Sequence, residues 1–283
     1  MKQETKATIS LFLTTIIWGF AFIGVDDALA HGWQTFPLLA FRGLIGGSFM
    51  LLFSFRKKWW RNKTTIFLGV ITGSLFFAGF AFQTLGQSLS SVPNTAFITT
   101  LNVLLVPLIE RIFLHRHIDK KVYLACVLAL LGTAILSFSE SISLHLGDLY
   151  LLLCALFFAL QIIFNEKCGK HNDVMSITCI QLYTMGILSF LFMPITKQTY
   201  LPSQSWLSLL YLAIFSSAFA SVLQLYGQSK VEPSKASLIL SLESIFATIF
   251  SILLIGQPLT PSILIGGTLM FTAVLLVEYH PKK

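Results

Sequence analysis

Hydrophobic residues run along this chain in long stretches separated by short polar gaps. Ten stretches are long enough to cross the hydrocarbon of a bilayer, which takes about 20 helical residues. They cover residues 8–25, 36–55, 65–87, 92–113, 121–138, 147–165, 174–195, 205–228, 233–255 and 259–278. Turn-forming residues mark the gaps, among them Asp26-Asp27, Ser91-Val92-Pro93, Leu201-Pro202 and Gln257-Pro258. The pattern predicts an all-α polytopic membrane protein of ten transmembrane helices. It leaves no room for a separate soluble catalytic domain.

One polar pattern recurs. Gln83-Thr84-Leu85-Gly86-Gln87-Ser88 returns as Gln224-Leu225-Tyr226-Gly227-Gln228-Ser229, 141 residues later. Residues 82–102 and 223–243, aligned without gaps, agree at six of 21 positions, including Ile98/Ile239 and Leu101/Leu242. The match lays the end of span 3 on the end of span 8 and span 4 on span 9. A shift of five spans is odd, so the two copies face opposite ways across the membrane. Two inverted five-helix repeats about an in-plane two-fold axis are a transporter plan, with the solute site near the midplane.

Composition agrees. The 283 residues are 55% hydrophobic and 11% charged, where a soluble domain carries about 25% charged residues. The net charge of +7 is a topology signal. With both termini cytoplasmic, the inner segments hold Lys2 and Lys6; Arg56, Lys57, Lys58, Arg61 and Lys63; Arg111, Arg116, Lys120 and Lys121; Lys167 and Lys170; Lys230 and Lys235; and Lys282 and Lys283. Lys197 alone falls in an outer loop, and Arg42 lies within span 2. That asymmetry is the positive-inside rule, and it argues against nucleic acid as a partner. Lys2, Lys6, the first apolar run and Ala28-Leu29-Ala30 imitate a cleaved leader. The run is long for one, Asp26-Asp27 crowds the cleavage site, and the repeat needs span 1, so the segment is expected to stay. Cys126, Cys154, Cys168 and Cys179 show no CxxC spacing and read as small buried hydrophobes.

Taken in order and spacing, several short motifs resemble the EamA-type branch of the drug/metabolite transporter superfamily over essentially the whole chain. They are Trp18-Gly19, Arg42, the Gly73…Phe82-Gln83 run, Ala96-Phe97…Val106-Pro107, Gly147-Asp148-Leu149 and Ser237-Leu238-Ile239-Leu240-Ser241-Leu242-Glu243. The resemblance implies a secondary transporter of small metabolites, amino acids or related compounds, often an exporter. It also implies EamA-like repeats at residues 1–140 and 141–283. The chain departs from the family pattern at Glu243-Ser244, where Glu-Pro is common. It departs again at His115-Arg116 and Gly256-Gln257, where Gly-Glu is common.

Arg42 and Glu243 stand out as charges inside the apolar runs. A charge near the bilayer centre costs about 2.5–3.5 kcal/mol on insertion scales, so an intramembrane carboxylate is functional by default. Glu243 lies ten residues into span 9, near the midplane, and Asn102 is its repeat equivalent. It is expected to take up a coupling proton, to bind an amino group, or to do each in turn. Permanent pairing with Arg42 is the structural alternative. Arg42 lies six residues from the outer end of its span, and snorkelling to the surface is expected of it as readily as a gating role. Trp18 is placed to wall a pocket, and Gln83, Gln161, Gln181 and Gln224 add polar groups to apolar helices. Gln83, Gln161 and Gln224 join Glu243, Asn102 and Trp18 as candidate substrate ligands. Pro107 frees the carbonyl of Val103 and predicts a kink in span 4. Gly43, Gly46 and Gly47 with Gly69-x-x-x-Gly73 predict close helix packing.

No ATP-binding loop and no HExxH motif occurs, and the chemistry calls for no cofactor and no metal. The expected function is secondary active transport of a small molecule across the plasma membrane by alternating access. A membrane-embedded enzyme acting on lipid or headgroup substrates is the alternative, and it would need more clustered polar groups than the spans supply. A channel would show polar rings or filters.

Overall fold

The computed structural model describes residues 3–137, 145–171, 173–256 and 258–278, which form helices and loops and no strand. Ten helical segments follow the ten apolar runs. They are α1 (Gln3–Ala30), α2 (Thr35–Ser54), α3 (Lys63–Gln87) and a divided α4, with α4a Val92–Thr99 and α4b Asn102–Ile112. There follow α5 (Lys120–Ser137), α6 (Leu146–His171), α7 (Val174–Ile195) and α8 (Trp206–Gln228). A divided α9, with α9a Pro233–Leu240 and α9b Glu243–Phe250, and α10 (Pro261–Glu278) complete the set. Eight of the ten are long and apolar enough to cross a membrane; α5 and the shorter apolar α10 lie against each other. Side chains cap several starts: Asn62 accepts the Thr65 N–H, Ser91 that of Asn94 and Asp173 that of Ser176. The four cysteines are buried.

Helix neighbours obey an exchange rule. Adding or subtracting five from each number turns α3 on α6 into α8 on α1, and α3 on α7 into α8 on α2, while α2–α7 and α5–α10 map onto themselves. Those are the contacts of a two-fold axis between the halves. Since successive spans run in opposite directions, a five-span shift places that axis in the membrane plane.

The repeated hexapeptide sits at a helix crossing in both halves. A Cβ on Gly86 would come 2.5 Å from the Leu151 side chain and 3.0 Å from the Gly147 carbonyl. On Gly227 it would come 2.4 Å from Leu11 and 3.0 Å from the Ala7 carbonyl. Only glycine lets α3 approach α6, and α8 approach α1, so closely. The following serines finish their helices alike: Ser88 Oγ donates to Leu85 O at 2.8 Å and Ser229 Oγ to Tyr226 O at 2.7 Å. Leu89 and Lys230 come next and are both exposed. Leu89→Cys and Lys230→Cys are therefore expected to react with an impermeant maleimide from opposite faces of a sealed vesicle. Labelling from one face would contradict the inversion.

Both halves interrupt the same helix at the same place. In α4 the turn at Thr100-Leu101 replaces α-helical bonding with shorter i→i−3 bonds, Leu101 N to Ile98 O and Val103 N to Thr100 O. In α9 the bonds are Leu242 N to Ile239 O and Ser244 N to Ser241 O, 141 residues on. The interruption expected at Pro107 thus falls earlier, and α4b continues through the proline. The carbonyl that Pro107 frees, Val103 O, lies 3.3 Å from the Cys126 thiol, which donates to it. With that acceptor satisfied, no bend is needed to reach another donor.

The helix ends also correspond. His115 (φ 52°) and Gly256 (φ 74°), again 141 apart, both take the left-handed conformation after α4 and α9. For histidine that geometry strains Cβ against the backbone. His115→Gly is expected to stabilise the protein by about 0.5–1 kcal/mol, seen as a higher melting temperature in detergent.

Candidate solute site

The two breaks place Asn102 and Glu243 as the first residues of α4b and α9b. Between them lies a cavity whose wall runs along α1 to Val25 and along α3 to Gln87, toward the end of the bundle opposite the basic loops. Its wall includes all six candidate ligands: Glu243, Asn102, Trp18, Gln83, Gln161 and Gln224. Arg42 also faces it, whereas Pro107 does not and is buried in α4b. Phe22, Phe80 and Phe158 supply apolar wall, and Gln87, Thr100, Ser216 and Ser241 supply further polar groups. Gln87 is the second glutamine of the hexapeptide, so the sequence held a signal for it. It donates to Phe22 O at 3.0 Å and ties α3 to α1.

Arg42 does not snorkel. Its side chain is 1% exposed and points inward, which removes the snorkelling that its place near the helix end had left open. The reason is a prepared socket. The chain of α8 opens into a π-helical turn over Leu212–Phe219, and this presents Ser216 and Ser217 to the guanidinium. Arg42 Nε donates to Ser217 Oγ at 3.2 Å and Nη2 to Ser216 Oγ at 3.4 Å. The guanidinium carbon lies 4.5 Å from the centroid of the Phe80 ring, a cation–π arrangement. Its Nη1 is buried with no hydrogen-bond partner among the described residues. Trp18 braces the same turn by donating Nε1–H to Ser216 O at 2.9 Å.

Glu243 makes no hydrogen bond or ion pair among the described residues, and the two charges are not paired with each other. Permanent Arg42–Glu243 pairing is thereby replaced by two separate charges on one cavity. Below the cavity, toward the basic end, α6 and α8 close on each other. Gln161 and Gln224 exchange amide bonds at 3.4 and 3.1 Å, and Asn165 donates to Gln228 Oε1 at 2.8 Å. Around them an apolar seal joins Leu11, Val106, Ile162, Ile163, Ala236 and Ile239. Gln181 lies away from the cavity, at the crossing of Gly73 with α7. At the other end, Asp148 accepts from Asn94 Nδ2 at 2.9 Å and holds the start of α6 to α4a.

The chain matches the model of the EamA-like transporter family twice, over residues 5–138 and 145–279. It is 31% identical over 277 residues to an uncharacterized transporter of Archaeoglobus fulgidus, covering 98% of this chain and 87% of that one. It is 23% identical to the uncharacterized transporter YoaV of Bacillus subtilis, with 96% of each covered. An S-adenosylmethionine uptake transporter of Rickettsia prowazekii is 24% identical over 77% of this chain and 73% of its own length. A solved crystal structure shares the fold with a TM-score of 0.81 over 96% of both chains, at 14% identity.

Proposed function

The chain belongs to the EamA-like transporter family of the drug/metabolite transporter superfamily, and from that premise we propose that it carries a small zwitterionic metabolite, an amino acid or a related compound, by alternating access. One observation carries this reading: a single cavity presents the unpaired Glu243 carboxylate and an Arg42 guanidinium with an unpartnered Nη1, beside aromatic wall. A solute with one charge would leave one of these two cavity groups without a counter-charge away from bulk water, which is costly. A zwitterion satisfies both: its carboxylate takes Nη1 and its ammonium takes Glu243, with its side chain against Phe80 and Phe158. The uptake of S-adenosylmethionine named for the Rickettsia relative supports the class, since that solute carries an α-amino acid group.

In this mechanism Glu243 alternates between substrate and a coupling proton. The closed α6–α8 seam is the barrier on one side, and its two-fold image between α1 and α3 is the barrier on the other. The excess of Lys and Arg in these loops supports a cytoplasmic seam and cytoplasmic termini in the plasma membrane. The family match and the names of the relatives support a carrier over an enzyme.

A thermal-shift screen of the purified protein against amino acids, S-adenosylmethionine, amines, sugars and organic acids tests the class. A zwitterion at 100 times its Kd is expected to stabilise the fold by about 2.7 kcal/mol. It should also drive counterflow in proteoliposomes, which a channel cannot do. Stabilisation by uncharged or singly charged solutes alone would overturn the zwitterion assignment.

A further inference from the structure

We infer that Glu110, Arg116, Glu166 and Ser234 form an electrostatic latch that locks the seam at the basic end, and that this latch biases the carrier toward resting with that end shut. The inference rests on the alternating-access reading above and adds to it a specific gate. Glu110 is 1% exposed and Glu166 4%, so two carboxylates are buried close to the seal. Arg116 bridges them through one nitrogen: Nη1 donates to Glu110 Oε1 at 2.8 Å and to Glu166 Oε2 at 2.7 Å. The other Glu110 oxygen accepts the backbone N–H of Ser234 at 3.1 Å and also the Ser234 hydroxyl. Glu110 and Arg116 belong to the first half of the chain, Glu166 and Ser234 to the second. The cluster therefore crosses between the halves, on the basic side of the cavity.

The local sequence builds the latch. The left-handed His115 ends α4 so that Arg116 N–H donates back to Glu110 O at 3.0 Å. That turn folds the arginine over the glutamate six residues earlier. Glu166 follows Asn165, and Ser234 opens α9a immediately after Pro233, so each partner is fixed by an element that also lines the seam. Asn165–Gln228 and Gln161–Gln224 continue the same line of polar contacts up to the cavity floor.

The two-fold image of this cluster has no such chemistry. Ser251 stands where Glu110 stands, and the sequence puts Gln257 at the place of Arg116. The shared contacts of Gly86 and Gly227 relate α6 to α1 by 140 residues, so the image of Glu166 is Asp26, which is exposed. Among the described residues, an arginine bridge between carboxylates of the two halves is found at the basic end, whereas at the other end the carboxylates of Asp148 and Asp27 meet the opposite half through the neutral Asn94 and Ser208. A carrier with equal barriers would populate its two states alike; the extra links shift it toward closure at the basic end. Opening that end requires the links to part and the carboxylates to meet water.

The test uses Ala236→Cys, buried in the seal two residues beyond Ser234. The four native cysteines are replaced by alanine and the protein is held in nanodiscs. Maleimide labelling is expected to accelerate about tenfold in Arg116→Gln, the response to a population shift of that factor. Loss of Arg116 alone leaves buried carboxylates uncompensated. The triple variant Glu110→Gln, Arg116→Gln, Glu166→Gln leaves none, and it should label as fast while melting cooperatively. Parental labelling rates in that folded triple variant would overturn the latch. Counterflow in the parent separates the two readings: its absence defeats the carrier assignment, whereas a failed latch leaves it intact.

Discussion

Glu243→Gln is expected to lower transport by about 100-fold or more while leaving the melting temperature nearly unchanged. The substitution keeps shape and removes charge at the first residue of α9b, where the carboxylate has no protein partner to lose. Stability therefore has little reason to fall. What is lost is the pairing with the solute's ammonium or with a proton. Removing one partner of a desolvated charge pair costs about 2–5 kcal/mol, and at 1.36 kcal/mol per factor of ten that range spans about 1.5 to 3.7 decades, with two decades well inside it. Counterflow rates and the pH profile measure it. Full activity with an unaltered profile would remove Glu243 from the mechanism. A second arm moves the carboxylate to its two-fold image, Asn102→Glu with Glu243→Gln. Partial recovery there would show that the carboxylate's place in the cavity matters more than its particular helix.

Gly43→Ala is expected to be the most damaging single methyl in the chain. At the crossing of α2 and α7, a Cβ on Gly43 would come 2.4 Å from Gly186 N and 2.5 Å from its Cα. The obstacle is backbone, so no rotamer change relieves it. The contact also lies where the two-fold axis passes between α2 and its image, and parting these helices strains both halves together. Overpacking costs about 1–3 kcal/mol where side chains can adjust, and here the upper figure is the expected floor. Gly267→Ala is the internal control, because nothing lies within 4 Å of its added methyl. It should leave the melting temperature unchanged or raise it slightly through helix propensity. Equal stability for the two variants in a denaturation series would mean that the α2–α7 crossing is looser than the structure shows.

Much of this architecture can be read from apolar run length, because lipid forces each crossing to bond its own backbone within a helix. The recurrent glycine of the hexapeptide was legible for a related reason. A close crossing admits one residue type, and that leaves a mark even where other positions drift. The candidate ligands converge on one cavity because polar groups inside apolar helices must face one another or the path. Arg42 was legible only in part, since its distance from the helix end left snorkelling open and said nothing of the serine socket in α8. Pro107 misled: proline advertises a freed carbonyl, but not the Cys126 thiol that takes it up. The true breaks at Thr100-Leu101 and Ser241-Leu242 contain neither glycine nor proline, so no turn chemistry announced them. Glu110 and Glu166 sit near helix ends, where charges ordinarily meet water, and their burial depends on contacts across the two halves.

The paired crossings of Gly86 and Gly227 bear on descent. If both halves derive from one five-helix sequence, that ancestor had to insert in either orientation. A chain that inserts both ways must carry Lys and Arg in near balance on its two faces. The present chain does not: five basic residues, Arg56, Lys57, Lys58, Arg61 and Lys63, follow α2, while Lys197 alone follows its image α7. Loop charges have thus been rewritten half by half, whereas the glycine that admits Leu151 in one copy and Leu11 in the other has been kept. On that descent, packing keeps the trace of the common origin, and charge the later commitment of each half to a single side.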